Sequence, residues 1–414
     1  MGAGMSQSPL AEPSPPGAPL RFGEFVALVA AMMALGAIGI DSMLPALPAI
    51  GVALKVQTAA DAPLVITVFL IGFGVAQLVH GPLSDRYGRR PVFISALIVY
   101  AFANVICAAS SSFAVLLCAR FLGGIAIAAS RVVAIALIRD CFSGRAMARV
   151  SSLAFMVFMA APIVAPAFGQ AVLAFGSWRL IFATIATLAA LVLAWFASRM
   201  PETLKPQDRA PLSFAQLGSS WWTTVSERQS LGYTLAILAL QGALFGYINS
   251  IQRIMAEVFG RPDLLAVVFA GSAGMMAIAN LLNSRIVMRI GMRRISHTAL
   301  CVLITAAAMS ILVEHLQLET LLSFAVLQAV TMACFGLASS NFSAMAMDKM
   351  GAIAGTASSV QGFASTTGGA LIGALIGRAF DGTTSGLHGG FLIAGLIALV
   401  LVAITERGRM FRPV

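Results

Sequence analysis

Twelve apolar runs, each of roughly the length of a bilayer crossing and nearly free of charge, constrain this chain more than any other feature. They lie at 25–44, 63–79, 91–109, 113–138, 150–175 and 178–197, then at 231–255, 264–282, 296–313, 321–341, 352–379 and 390–404. A bilayer core takes about 20 apolar residues of helix. Only 10% of the 414 residues are charged, against roughly 25% in a soluble domain, so no polar shell can be built and lipid is the solvent that fits. The expected fold is an all-α integral membrane protein of about twelve transmembrane helices.

The net charge of +10 does not point to nucleic acid. Lys55, Lys205 and Lys349 are the lysines, and the arginines fall in small clusters between apolar runs, with no basic stripe interleaved with aromatics. With the N-terminus cytoplasmic, 19 of the 26 Lys and Arg lie on that side and 5 on the other, while Arg120 and Arg131 remain inside runs. That asymmetry is the positive-inside pattern, and it puts both termini in the cytoplasm. Five dispersed cysteines, with no CxxC or Cys/His spacing, suggest neither a metal site nor a disulfide framework.

The chain also repeats itself. Asp85-Arg86-Tyr87-Gly88-Arg89-Arg90 follows the second run, and Met288-Arg289-Ile290-Gly291-Met292-Arg293 follows the eighth, 203 residues later. Ile40-Asp41-Ser42 is echoed by Ile248-Asn249-Ser250, 208 residues on. Two pseudo-symmetric six-helix bundles are expected, with a binding site at their interface. The boundaries are a disordered cytoplasmic tail at 1–21, an N-terminal bundle at 22–198, a cytoplasmic linker at 199–229, a C-terminal bundle at 230–405 and a tail at 406–414.

Asp41 is the one acid inside an apolar run. A carboxylate at that depth costs roughly 2.5–3.5 kcal/mol on insertion scales, so its default reading is functional: a group that takes up and releases a proton. Arg120 falls at similar depth, and the two can pair. Arg131, eleven residues on, returns to nearly the same helix face about 16 Å nearer the cytoplasm. It is left to an anionic substrate group, a cluster of backbone carbonyls or a packing role. Candidate cavity residues are Arg131 with Met33, Phe69, Phe73, Gln77, Asn104, Gln241, Phe245, Asn249 and Gln361. Pro162, Pro166 and Gly169 bend the fifth run, and Gly369, Gly373 and Gly377 give the eleventh a face for close helix approach.

Gly81-Pro82-Leu83-Ser84-Asp85-Arg86-Tyr87-Gly88-Arg89-Arg90 resembles the signature loop of the major facilitator superfamily at every fixed position. Arg120-Phe121-Leu122-Gly123-Gly124, with Arg139-Asp140, resembles the fourth-helix motif of its drug:proton antiporters. Asp41 with Leu44-Pro45-Ala46-Leu47-Pro48, and Pro201-Glu202-Thr203-Leu204, narrow the resemblance to the Bcr/CflA-like exporters linked to bicyclomycin and chloramphenicol resistance. It covers roughly residues 22–405. It implies that Gly81, Asp85, Arg86, Gly88, Arg89 and Arg90 form a conformational latch, and that Arg120 influences protonation of Asp41. One departure stands out: the fifth-helix antiporter motif keeps Pro162, Pro166 and Gly169, but Ala165 and Gln170 replace expected glycines.

The expected function is proton-coupled export of small amphipathic or cationic compounds by alternating access, that is, multidrug efflux. The expected protein is a multi-pass monomer of the bacterial inner membrane. It is not an enzyme, carries no cofactor or metal, uses the proton as coupling ion, and has a small-molecule substrate and membrane lipid as its partners. A proton-coupled importer of an organic anion or other metabolite would share the fold. A membrane enzyme would need a nucleophile–base pair or ligated metal that the runs do not supply, and the two-half repeat argues against a passive channel.

Overall fold

The computed structural model describes residues 20–209 and 214–411, and among them the chain is helical with no strand. Twelve long helices set the architecture. In the first half they are α1 (Phe22–Asp41), α2 (Leu64–Tyr87), α3 (Arg89–Ala109), α4 (Phe113–Cys141), α5 (Gly144–Leu173) and α6 (Arg179–Arg199). In the second they are α7 (Arg228–Arg253), α8 (Leu265–Ile290), α9 (Met292–His315), α10 (Leu321–Met347), α11 and α12 (Ser385–Thr405). α11 comes in two segments, Ala354–Phe363 and Gly369–Arg378, joined by one π turn at Ala364–Gly368.

Among the described residues, ten helical stretches are long and apolar enough to cross a membrane. The other two crossings are α5, with its apolar segment Ala160–Leu173, and α11, interrupted by the π turn. The first crossing differs from its expected end at residue 44. α1 stops at Asp41, and the chain continues through a 3-10 turn (Leu44–Ala46) and a short helix (Leu47–Ala53) as one apolar stretch, Phe22–Ala53. Pro45 and Pro48 explain the break: each sits in the first turn of a new segment, where its missing N–H costs nothing, and neither can continue α1.

Polar contacts between helix ends fix the alternating directions. Arg199 at the end of α6 pairs with Glu24 at the start of α1 (2.7 Å), and Arg293 at the start of α9 with Glu406 after α12 (3.1 Å). Both lie on the face that carries the chain ends, the terminal face. On the opposite, far face, Arg378 at the end of α11 pairs with Asp61 before α2 (2.8 Å), and Thr384 before α12 donates to Glu319 after α9 (2.8 Å).

The packing scheme repeats with an increment of six. In the first half α2 and α3 each pack on α4, α3 on α6, and α1 on α4, α5 and α6. In the second, α8 and α9 pack on α10, α9 on α12, and α7 on α10, α11 and α12. The turn glycines 203 residues apart, Gly88 and Gly291, share a left-handed backbone (φ 103° and 87°). The halves meet along two seams, α2 against α11 and α5 against α8.

Lipid is as apolar as a leucine side chain, so close packing and polar bonds, rather than burial from water, hold such helices together. Reciprocal glycines bring α2 and α4 into backbone contact: a Cβ on Gly72 would lie 2.3 Å from the Phe121 carbonyl oxygen, and one on Gly124 would lie 2.1 Å from that of Phe69. Gly369, Gly373 and Gly377 of α11 press in the same way on Gln241, Phe245 and Asn249 of α7.

Most of the expected N-terminal tail, residues 1–19, lies outside the described residues, as do 210–213 of the expected linker. The rest of that linker includes a helix, Phe214–Ser226, packed on α7 and the first segment of α11. The chain end folds back on the second half, where the Phe411 amide donates to His297 Nδ1 (3.2 Å) and Arg294 Nε donates to the Phe411 carbonyl (3.2 Å).

Candidate functional site: a cavity between the halves

A cavity of about 240 Å³ opens where the halves face each other. Its walls come from α1, α2, α4 and α5 on one side and from α7, α8, α10 and α11 on the other, again the same positions plus six. Met33, Ile40, Leu70, Phe73, Phe245, Phe269, Met276 and Met332 make the lining largely apolar. Ser130, Gln241, Tyr247, Ser272 and Thr366 add neutral polar groups, and Asp41 and Arg131 are its two charged residues.

Asp41 ends α1 where the prolines break the helix, and it is 4% exposed. Its Oδ1 is buried with no hydrogen-bond partner. On the other wall of the cavity, the Tyr247 hydroxyl donates to Ser272 Oγ at 3.3 Å. Arg131 is enclosed by the cavity wall, and among the described residues its guanidinium makes no hydrogen bond or ion pair. One acid and one cation thus face the same space, and among the described residues neither makes an ion pair.

Arg120 departs from its expected partnership, for it makes no ion pair with Asp41. Its Nε donates to the Val65 carbonyl (3.0 Å) and its terminal nitrogen to that of Gly39 (2.9 Å), with the guanidinium 4.0 Å from the centroid of the Phe69 ring. Gly39 lies in the last turn of α1, where helix carbonyls lack an intrahelical donor. Arg120, 1% exposed, therefore closes the C-terminal end of α1, where positive charge is favoured.

Of the candidate cavity residues, Met33, Phe73, Gln241 and Phe245 join Arg131 in the lining. Five other candidates sit elsewhere. Phe69 lies under Arg120 inside the first half. Asn104 donates to the Tyr100 carbonyl four residues back on α3 (2.8 Å), a helix that does not reach the cavity. Gln77 belongs to the α2–α11 seam, donating to Thr366 Oγ1 (3.3 Å), and Asn249 bridges the halves from α7 to α2 by donating to Thr67 Oγ1 (3.4 Å). Gln361 accepts from Ser343 Oγ (3.0 Å). The direction a side chain faces settled these cases, and polarity alone did not encode it. Ser130, Tyr247, Ser272 and Thr366 went unread; Ser130 and Tyr247 directly adjoin Arg131 and the Ile248-Asn249-Ser250 echo.

Of the fifth-helix motif, Pro162 lines the cavity. Gly169 meets the end of α1 so closely that a Cβ there would lie 1.8 Å from the Ser42 carbonyl oxygen. Pro166 lies on α5 between them. Ala165, where the motif expects glycine, is wholly buried.

The loop at residues 81–90 builds a polar knot at the terminal face. Arg89, 2% exposed, donates to Asp85, to Ser84 Oγ (2.9 Å) and to Asp140 Oδ2 (3.1 Å) at the end of α4. Glu202, just past α6, accepts from the backbone amides of Arg89 (3.0 Å) and Arg90 (3.1 Å), capping the start of α3. Arg90 reaches the Ala197 carbonyl (2.8 Å), and Thr203 donates to Asp140 (3.0 Å). A side chain at Gly88 would strike Glu202 and oppose the left-handed φ of 103°. Arg86 is exposed beside the Tyr87 ring, and Gly81 faces Ser359 of α11. The short Pro201-Glu202-Thr203-Leu204 motif therefore acts on the signature loop, a link its distance in sequence conceals.

Two six-helix units with matching packing, enclosing a cavity at their junction, define a secondary-transporter architecture. The chain belongs to the Major Facilitator Superfamily, whose family model matches residues 26–372, and it is a multi-pass membrane protein. It is 29% identical over 353 residues to a bicyclomycin resistance protein homolog of Haemophilus influenzae, covering 85% of this chain and 88% of that one. It is 31% identical over 300 residues to a chloramphenicol resistance protein of Pseudomonas aeruginosa, covering 70% and 68% respectively. The crystal structure of the human organic anion transporter MFSD10 (TETRAN) shares the fold, with a TM-score of 0.63 and 18% identity over 93% of this chain and all of that one.

Proposed function

We propose that this chain exports small amphipathic or cationic compounds in exchange for protons, by alternating access of the cavity between its halves. The observation that carries the reading is the buried Asp41 carboxylate, its Oδ1 without a hydrogen-bond partner, in a largely apolar cavity. An acid so placed needs either a proton or a cationic ligand. The two compete for the same atom, and that competition is the elementary step of exchange. The names of the relatives in Haemophilus and Pseudomonas, which speak of resistance to bicyclomycin and chloramphenicol, support drugs as the exported class.

In this reading both termini face the cytoplasm of a bacterium, as the distribution of Lys and Arg favours. The protein works as a monomer in the inner membrane, takes the proton as its coupling ion, and performs no covalent chemistry. The knot around Arg89 serves as the latch at the cytoplasmic end of the first half. Uptake of a small organic anion is favoured by one observation, the unpaired Arg131 guanidinium in the same cavity.

Proteoliposomes holding a pH-sensitive dye test the proposal with a panel of lipophilic cations, chloramphenicol and small organic acids. Wild type should move protons opposite to a drug, and Asp41→Asn should bind the lipophilic cations more weakly and lose at least about tenfold in coupled flux. Proton movement that is unchanged in Asp41→Asn would overturn the assignment. Entry of an organic acid together with protons, abolished by Arg131→Ala, would establish uptake instead.

A further inference from the structure

The signature loop and its echo after α8 carry their charges differently. In the first half, Asp85, Asp140 and Glu202 gather around Arg89 and the start of α3. In the second, Glu406 takes Arg293, and Met288 stands 90% exposed at the place equivalent to Asp85. Arg285, Arg289 and Arg294 are all exposed, and among the described residues none of them meets a carboxylate. Arg285 and Arg289 are four apart on one stripe of α8, beside the stripe of Ile286 and Ile290.

That neighbouring stripe lines a groove. α8 and α9 each pack along α10 but touch one another little. The gap, about 510 Å³, runs up from the terminal face between Ile286 and Ile290 on one wall and Thr298 and Val302 on the other, with Cys334 and Leu337 of α10 as its floor. Arg294 stands at its mouth and spends one of five guanidinium donors on the Phe411 carbonyl. A largely apolar groove thus lies beside three exposed arginines that meet no carboxylate among the described residues.

We propose that this groove binds an anionic phospholipid, with one acyl chain against the wall of α8, α9 and α10 and the phosphate held by Arg285, Arg289 and Arg294. A zwitterionic headgroup would bring its own cation among the three arginines, so the site selects net negative charge. This rests on the chain being a membrane protein and is independent of what it transports. The bound lipid would tie α8 to α9, the contact that the helices themselves leave thin.

Native mass spectrometry of the detergent-solubilised protein, titrated with dioleoylphosphatidylglycerol or dioleoylphosphatidylcholine, tests the assignment. Phosphatidylglycerol should bind at least tenfold more tightly than phosphatidylcholine. With about fivefold in affinity from each arginine, the triple change Arg285→Gln, Arg289→Gln, Arg294→Gln should weaken it on the order of 100-fold. A charge-matched triple change at the exposed Arg139, Arg209 and Arg228 should leave it nearly unaltered. Thr298→Trp, which fills the groove and leaves every charge in place, should weaken it at least tenfold. Equal binding of the two lipids, equal loss from the two triple variants, or full binding by Thr298→Trp would each overturn the proposal, the last by showing headgroup attraction without a groove.

Discussion

Gly169 illustrates how a single missing side chain shapes the site. The backbone of α5 lies against the turn after Asp41 so closely that a methyl group would overlap the Ser42 carbonyl. Gly169→Ala is expected to displace that turn at a cost of about 1–3 kcal/mol and to lower the thermal midpoint of the purified protein. A change at the exposed Gly218, around which space is open, should not. Residue-level signals in the sequence were uneven in what they revealed. Asp41 and Arg131 were legible because charge in an apolar run has few innocent explanations. Phe69, Gln77, Asn104, Asn249 and Gln361 were misplaced because a polar or aromatic residue in a crossing helix can serve a neighbour, a seam or the cavity equally well.

At the scale of elements, α1 behaves as a helix stopped by proline and finished by a partner. Arg120 reaches from α4 to carbonyls of α1 and α2, and its planar fork serves both while it lies over Phe69. Lysine offers the charge without the fork. Arg120→Lys should therefore destabilise the first half by about 1.5–3 kcal/mol, the range for hydrogen bonds to charged groups, read as a fall in thermal midpoint. If Arg120 acts as this clasp, the pH midpoint of transport should stay put in surviving Arg120→Lys protein; a clear displacement would restore the direct pairing with Asp41. The sequence displayed the prolines and the arginine but not the clasp, since a backbone carbonyl leaves no mark among residue types. The π turn in α11 escaped notice for the same reason, although it places Thr366 on the cavity and opposite Gln77.

Across the whole molecule, the two-half repeat was readable from a loop and its echo, and the packing repeats it helix by helix. The seams were not readable, because nothing in an apolar run declares which neighbour it meets. On the far face the halves are stitched by the Arg378–Asp61 pair and the Asn249–Thr67 bond. The Asn249–Thr67 bond is buried, whereas the Arg378–Asp61 pair reaches solvent, and a pair of that kind contributes about 0–1 kcal/mol, enough to bias an equilibrium between closed and open without locking it. Asp61→Asn should raise the population open at the far face by up to about fivefold, measured by distance distributions between spin labels at positions 55 and 261. An unchanged distribution would mean that the helix seams alone set the balance.

Glu202 also bears on how such a chain is made. The acid that completes the first bundle comes immediately after that bundle's last helix, and Glu406 stands in the same relation to the second. A ribosome that has added residue 204 has joined every partner the Arg89 knot requires, before the first residue of α7 at Arg228. Each bundle thus carries its own closing clasp at the trailing edge of its synthesis. The first bundle needs nothing from the second to close its knot, so it can be sealed while the second is still being translated.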